Sequence, residues 1–114
     1  MNESILTSIK KLLGITSEYD HFDADLIIHI NSVFFILRQL GVGPEEGFNI
    51  TGDIETWSDY LEDIDKLSLV KTYIHLKVKL IFDPPQSSFV TEAINKQISE
   101  YEWRLNVEVD PKVT

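Results

Sequence analysis

Apolar residues recur along the chain at the three- and four-residue spacing of amphipathic helices, and this pattern predicts four long helices. The first helix is predicted over about residues 3–13, with Asn2 as its N-cap and Gly14 just after its end. Its apolar face comprises Ile5, Leu6, Ile9, Leu12 and Leu13. Because these residues share one side of the helix, we expect that side to pack against the rest of the protein.

The second helix is predicted over about residues 21–40, with Asp20 as its N-cap and Gly41 after its end. One apolar stripe comprises Phe22, Leu26, Ile30, Val33, Leu37 and Leu40. Ile28 and Phe35 point to the opposite side of the same helix. A helix with apolar residues on both sides is usually covered on both sides, so this helix is expected to have more than one neighbour.

The third long helix is predicted over about residues 65–82, with Asp65 as its N-cap. Two adjacent apolar stripes run along it, formed by Leu67, Val70, Ile74, Val78 and Ile81 and by Leu69, Tyr73, Leu76 and Leu80. Together they cover more than half of the circumference, so we expect this helix to be central. The segment HLKVKLIF also alternates like a β-strand, but the length of the two stripes favours a helix.

The sequence LIFDPPQSSFV separates the last two long helices. Pro85 has no N–H, and Pro84 disfavours helical angles at Asp83, so the third helix must end near Phe82. The stretch is therefore a hinge that sets the direction of the last helix.

The fourth long helix is predicted over about residues 88–106, with Ser87 or Ser88 as its N-cap. Its apolar face comprises Val90, Ile94, Ile98, Tyr101 and Leu105. The remaining residues, 107–114, are predicted to form an extended tail. The chain is therefore expected to contain one helical domain over residues 1–106.

The connection over residues 42–65 differs from the helices because it is rich in glycine and contains eight acidic residues and no basic one. Its first half is predicted to be a loop. A short helix is predicted within 55–63, with Trp57, Tyr60 and Leu61 turned inward. The predicted fold class is all-α: a small bundle of four long helices plus a short helix in this connection.

Composition narrows the possible functions. The chain has 114 residues and no cysteine, which excludes disulfides, thiolate metal sites and cysteine nucleophiles. Its formal net charge is −9, from 10 basic and 19 acidic residues, so binding to nucleic-acid phosphates is disfavoured. No apolar run approaches the ~18 residues of a membrane span, and no membrane association is predicted.

Few residues suggest catalysis. His21, His29 and His75 do not have the spacing of a zinc motif, and the glycines do not form a phosphate-binding loop. The carboxylates from Glu55 to Asp65 could surround a divalent cation, and a small metal-dependent enzyme is therefore one alternative. Their spacing does not match a calcium loop, and a solvated helix surface is the commoner role. We predict no catalytic, cofactor or metal site.

Several bulky side chains lie outside the predicted core faces. Trp103 and Arg104 are off the apolar face of the last helix, and these two residue types are enriched at interface hot spots. Trp103 could equally cover the edge of its own core. Together with Ile28 and Phe35, they are predicted to form contacts between subunits or with a partner.

The order of these signals resembles a known family. KKLLGI is followed by the acidic turn TSEYDHFDADL, then by a long apolar helix, by VKTYIHLKVKLIFDPP and by SSFVTEAINKQISEYEWRLN. This order is similar to that of the head–tail connector (adaptor) proteins of tailed bacteriophages, in particular those of low-GC Gram-positive hosts. The resemblance covers nearly the whole chain, and DPPQSSFVTEAINKQISEYEWRL is its most specific part.

The resemblance implies a structural role without catalytic residues. Such subunits are made in the bacterial host cytoplasm and assemble in the virion as a ring, usually twelve-fold, between the phage portal protein and a tail-side connector or stopper protein. DNA passes through without specific binding, and acidic residues suit this passage because they repel phosphates. We expect loop 42–54, with Glu45, Glu46, Phe48 and Asp53, to face the channel or a partner. In this interpretation the free subunit is a monomer that orders its loop or tail on docking.

A second hypothesis belongs to a different class of protein. A small acidic helical inhibitor or decoy could occupy a basic site on a host protein, and the net charge of −9 supports it. It predicts one-to-one binding that weakens with salt.

Overall fold

A computed structural model describes residues 3–109, and side chains are described for residues 3–106. Within these residues the chain forms five α-helices and no strand, which confirms the predicted all-α fold. The helices are α1 (Ile5–Leu12), α2 (Asp23–Gln39), α3 (Trp57–Tyr60), α4 (Ile64–Phe82) and α5 (Ser88–Val109). A single antiparallel bridge between Ser4 and Thr56 joins the start of α1 to the start of α3.

The N-cap of α1 differs from the prediction. Ser4 holds this position, and its hydroxyl accepts a hydrogen bond from the Thr7 N–H at 3.2 Å. Ser4 therefore supplies the oxygen that was expected from Asn2, which lies outside the described residues. Gly14 adopts a φ of +82° just after the helix, as its predicted role requires.

The starts of α2 and α4 also correct the sequence-based expectations. Phe22 is the N-cap of α2 and makes no side-chain capping bond, so Asp20 does not cap this helix. Asp63 caps α4 by accepting the Lys66 N–H at 3.2 Å, and Asp65 lies in the first turn instead. Each start lies within two residues of the predicted one. At α4 the neighbouring acids Asp63 and Asp65 offer almost equivalent capping groups, whereas α2 begins without a side-chain cap.

The hinge and α5 follow the prediction more closely. The Ser87 hydroxyl accepts the Val90 N–H at 3.4 Å at the start of α5. Val90 itself is exposed, although it was expected on the buried face, because it lies in the first turn beside the hinge. The helix continues through Val109, three residues beyond its predicted end. The rest of the predicted tail, 110–114, lies outside the described residues.

The core lies around α4, which packs against α1, α2 and α5. The rings of Phe22 and Phe82 meet at 5.1 Å, so the start of α2 lies beside the end of α4 and the two helices are antiparallel. Among the buried side chains, Trp57 donates its indole N–H to the Ser8 hydroxyl at 2.8 Å. Tyr73 on α4 donates to a Glu102 carboxylate oxygen at 2.7 Å and so ties α5 to the centre of the bundle.

Candidate functional site

The outer side of α2 carries two large apolar side chains that have no partner in the core. Ile28 is 62% exposed and Phe35 is 57% exposed. They are seven residues apart and therefore lie on the same side of the helix. The opposite side carries Leu26, Ile30, Val33 and Leu37, which are buried. The exposure of Ile28 and Phe35 agrees with the sequence analysis.

The outer side of α5 also carries bulky apolar side chains that are exposed. Trp103 is 66% exposed, and Arg104 beside it forms an ion pair with Glu100 at 3.8 Å. Phe89 on the same side is 79% exposed and was not singled out from the sequence. The signal that could have identified it is the seven-residue spacing of Phe89, Lys96 and Trp103, which places all three on one side.

The connection between α2 and α3 is fixed by side chains at its second half. Asn31 on α2 accepts the Ile50 N–H at 2.7 Å and donates to the Ile50 carbonyl at 3.0 Å. Glu55 accepts hydrogen bonds from the Thr51 N–H and hydroxyl at 2.9 and 2.8 Å. Burial alone would raise the pKa of Glu55, but these hydrogen bonds hold that pKa below its ordinary value.

The first half of the connection is fixed by Arg38 and by an aromatic contact. The Arg38 Nε–H donates to the Glu45 carbonyl at 2.8 Å. Gly43 has a φ of +89°, and a Cβ at this position would lie 2.6 Å from the Tyr60 ring, so only glycine fits. The connection therefore contacts the rest of the protomer in its first half as well as in its second.

The four loop residues proposed as channel-facing or partner-facing have different environments. Glu45, Glu46 and Asp53 are exposed and free to meet a partner. Phe48 is half-buried, and its ring packs 5.2 Å from the rings of both Phe34 and Tyr60. Phe48 therefore anchors the loop to the core, while the carboxylates give the loop its outer surface.

The loop and the outer side of α2 form one continuous surface. A hollow of about 110 Å³ lies between them, lined among others by Phe35, Arg38, Glu46 and Phe48. Trp103 and Arg104 lie elsewhere, on α5, which packs against α4. The predicted site residues thus divide into an α2–loop surface and an α5 surface.

Three of the carboxylates considered for a metal site have structural roles. Asp59 accepts the Thr56 N–H at 2.9 Å in the capping box of α3, Asp63 caps α4, and Glu55 holds Thr51. Among the described residues, no group of three or more acidic or histidine side chains is arranged to hold a metal ion. No helix in the described range is both long and apolar enough to cross a membrane.

Comparison with known protein families identifies the chain. A family model described as phage connector protein matches residues 5–112. The chain belongs to the phage connector family. The match spans all five helices and confirms the resemblance seen in the sequence. Searches of curated proteins and of solved structures find no match. Membership of the phage connector family implies a structural role, a location in the virion and contacts with portal and tail proteins.

Proposed function

We propose that the protein is a head–tail connector subunit that forms a homo-oligomeric ring under the phage portal protein, with the twelve-fold symmetry that the resemblance implies. The ring extends the DNA channel and provides the attachment site for a tail-side connector or stopper protein. The subunit is made in the bacterial host cytoplasm and joins the virion at the head–tail junction. Its role is structural, without catalysis.

The observation that carries this proposal is the exposure of bulky apolar residues on two long helices. Ile28 and Phe35 on α2, and Trp103 on α5, are each more than half exposed. Exposed apolar surface costs about 25 cal/mol per Å² relative to its burial, so these side chains favour contact with another protein. A ring subunit needs such surfaces for its two neighbours and for the portal.

The acidic connection supports the same proposal. Glu45, Glu46 and Asp53 present negative charge on a segment that is fixed in position by Asn31 and Arg38. A rigid acidic surface repels the phosphates of passing DNA and so prevents it from sticking. We assign this loop to the channel wall or to the surface that meets a partner.

The alternative of an acidic inhibitor has less support. It accounts for the acidic connection, but not for the exposed apolar sides of α2 and α5. The family match favours the connector role.

Replacing Trp103 tests the proposal. The Trp103→Ala protein is expected to fold normally, because the indole is 66% exposed. Its ability to join tails to portal-bearing heads, measured as infectious particles from mixed extracts, is expected to fall at least about tenfold, the scale of one interface hot spot. Ile64→Ala removes an equally exposed apolar side chain from α4 and is the matched control. Normal tail joining by the Trp103→Ala protein would contradict the proposal.

A further inference from the structure

We propose that the outer side of α2 in one subunit packs against the outer side of α5 in the next. The α2 face is defined by Ile28 and Phe35, and the α5 face by Phe89, Lys96 and Trp103. This inference rests on the ring proposed above and specifies which two surfaces meet between neighbouring copies.

The positions of the two faces suit a head-to-tail contact. The helix α4 packs against both α2 and α5, and α5 also reaches the end of α2, where Asn106 Nδ2 donates to the Leu40 carbonyl at 3.5 Å. At 100° per residue, each face lies about half a turn from the stripe that its own helix buries. Each face therefore points away from the core that its own helix covers, and the two faces belong to different helices. A heterologous contact requires two different patches of this kind on one molecule.

The two faces also match in spacing. Ile28 and Phe35 are seven residues apart, as are Phe89, Lys96 and Trp103, which corresponds to intervals of about 10.5 Å along either helix. Helices with a seven-residue pattern pack side by side at a shallow crossing angle. On the α5 face, a hollow of about 220 Å³ lined by Phe89, Glu92, Ala93 and Lys96 gives room for a bulky side chain.

Charge distinguishes these faces from the rest of the surface. Copies of a chain with a net charge of −9 repel one another, so close approach is favoured where the surfaces are locally neutral or carry both signs of charge. On α2 itself the face is flanked by one acidic and one basic residue, Asp25 and Arg38, and Glu46 of the loop lies at its Phe35 end. The α5 face carries two of each sign: Glu92, Lys96, Glu100 and Arg104. The segment 42–65, with eight acids, is unsuited to contact with its own copy.

Pairing of each face with itself fits less well. An α2–α2 or α5–α5 contact would be two-fold and would close at a dimer, leaving the other face of every copy uncovered. An antiparallel α5–α5 pair centred on this face would also place Lys96 against Lys96 of the other copy. The α2–α5 pairing covers both faces of every copy once the ring closes.

The contact is too small to hold two free copies together at low concentration. The helix α2 has 17 residues. It therefore presents a strip about 25 Å long and about 10 Å wide. This is about 250 Å², well below the ~800 Å² per partner of a stable complex. A closed ring compensates for the small area of one contact, because each copy is held by two neighbours at once. The pairing must therefore be measured at high protein concentration.

Cysteine cross-linking tests the pairing, because the native chain has no cysteine. Ser32→Cys places a thiol beside the α2 face, while Ser88→Cys and Ser99→Cys place thiols at two levels beside the α5 face; all three serines are exposed. The Ser32→Cys protein is mixed with either α5 variant at about 1 mM under mild oxidation. The matched control pairs it with Ser68→Cys, at an exposed serine of α4.

The expected result is a mixed disulfide between Ser32→Cys and at least one α5 variant. It should form at least about tenfold faster than either symmetric dimer and than the control pair, since a specific contact raises the local thiol concentration. Adding Phe35→Asp to the Ser32→Cys chain should abolish this preference. Equal rates for all pairs, or a preference for a symmetric dimer, would overturn the pairing.

Binding of the same variants to portal-bearing heads separates this inference from the proposed function. Heads that bind the protein while no α2–α5 disulfide is preferred would overturn only the assignment of the two faces. Heads that bind none of the variants and no native protein would overturn the connector role itself.

Discussion

At the scale of single residues, Lys10 has a role that its sequence context hides. It is followed by the exposed Lys11, yet its own side chain is only 2% exposed. The Lys10 ammonium pairs with Asp23 at 2.8 Å and donates to the Ser17 carbonyl at 3.2 Å. A buried charge is tolerated only when it is paired, so this contact fixes α1, the following turn and the start of α2 relative to one another.

The Lys10→Ala substitution is expected to lower the free energy of unfolding by about 3 kcal/mol, because it leaves a half-buried Asp23 carboxylate without its cation. Lys11→Ala is the matched control at an exposed position and should change the free energy by less than about 0.5 kcal/mol. Urea unfolding of both proteins measures the difference. Equal losses for the two variants would show that the ion pair does not stabilise the fold.

His75 gives the stability a dependence on pH. Its pKa lies below the ordinary value of 6.5, mainly because of burial and also because of Lys79, while the Leu12 carbonyl acts in the opposite direction. As the pH falls below 6.5, the unfolded chain therefore takes up a proton before the folded chain does, and stability decreases. His75→Gln should reduce the loss of stability between about pH 7 and pH 5. An unchanged pH profile of the melting temperature would contradict this.

At the scale of elements, the connection between α2 and α3 is held by bonds to helix side chains. Asn31 is 19 residues away from Ile50 in sequence, yet it satisfies both backbone groups of Ile50. Such bonds pair backbone N–H and C=O groups that in a helix or sheet would bond to other backbone groups. The connection can therefore present its acidic residues in a fixed position.

The Asn31→Ala substitution should lower the free energy of unfolding by about 1–2 kcal/mol, because two hydrogen bonds to Ile50 are lost. Hydrogen exchange of the Ile50 amide should become at least about tenfold faster, since 1.4 kcal/mol corresponds to that factor. Asn95→Ala, at an exposed position of α5, is the control. If Ile50 exchanges at the same rate in both variants, Asn31 does not anchor the loop.

Much of the fold could be predicted from the sequence, because apolar spacing and the Pro84–Pro85 break are local signals. The conformation of the loop could not be predicted in this way. Its anchors Asn31 and Phe48 contact Ile50 and Phe34, which are distant in sequence and come close only in the folded chain. The exposure of Ile28, Phe35 and Trp103 followed from a surplus of apolar positions over the available core. The exposure of Phe89 could have been predicted in the same way, because Phe89 is fourteen residues before Trp103 and lies on the same side of α5.

At the scale of the whole molecule, three surfaces of different chemistry surround one core. The protomer measures 45 × 36 × 20 Å, and its shortest dimension corresponds to two helix diameters. Apolar, locally neutral faces lie on α2 and α5, while negative charge is concentrated in the segment 42–65. This division suits a subunit that contacts copies of itself along its sides and keeps an acidic surface free.

Salt is expected to strengthen self-association. Raising the ionic strength from about 0.05 to 0.5 M shortens the range of repulsion between copies with a net charge of −9 each. Apolar contacts through α2 and α5 are not weakened by this screening. Sedimentation at about 1 mM protein should therefore show a higher average mass at high salt. A lower mass would indicate that charge attraction dominates the contact.

The most direct test of the connector role is electron microscopy of purified protein added to cognate portal-bearing heads that lack tails. We expect an additional ring of density on the portal of these heads, and no ring when the protein carries Phe35→Asp together with Trp103→Asp. Portals that stay bare with the native protein, or that gain the same ring with the doubly substituted protein, would contradict the account.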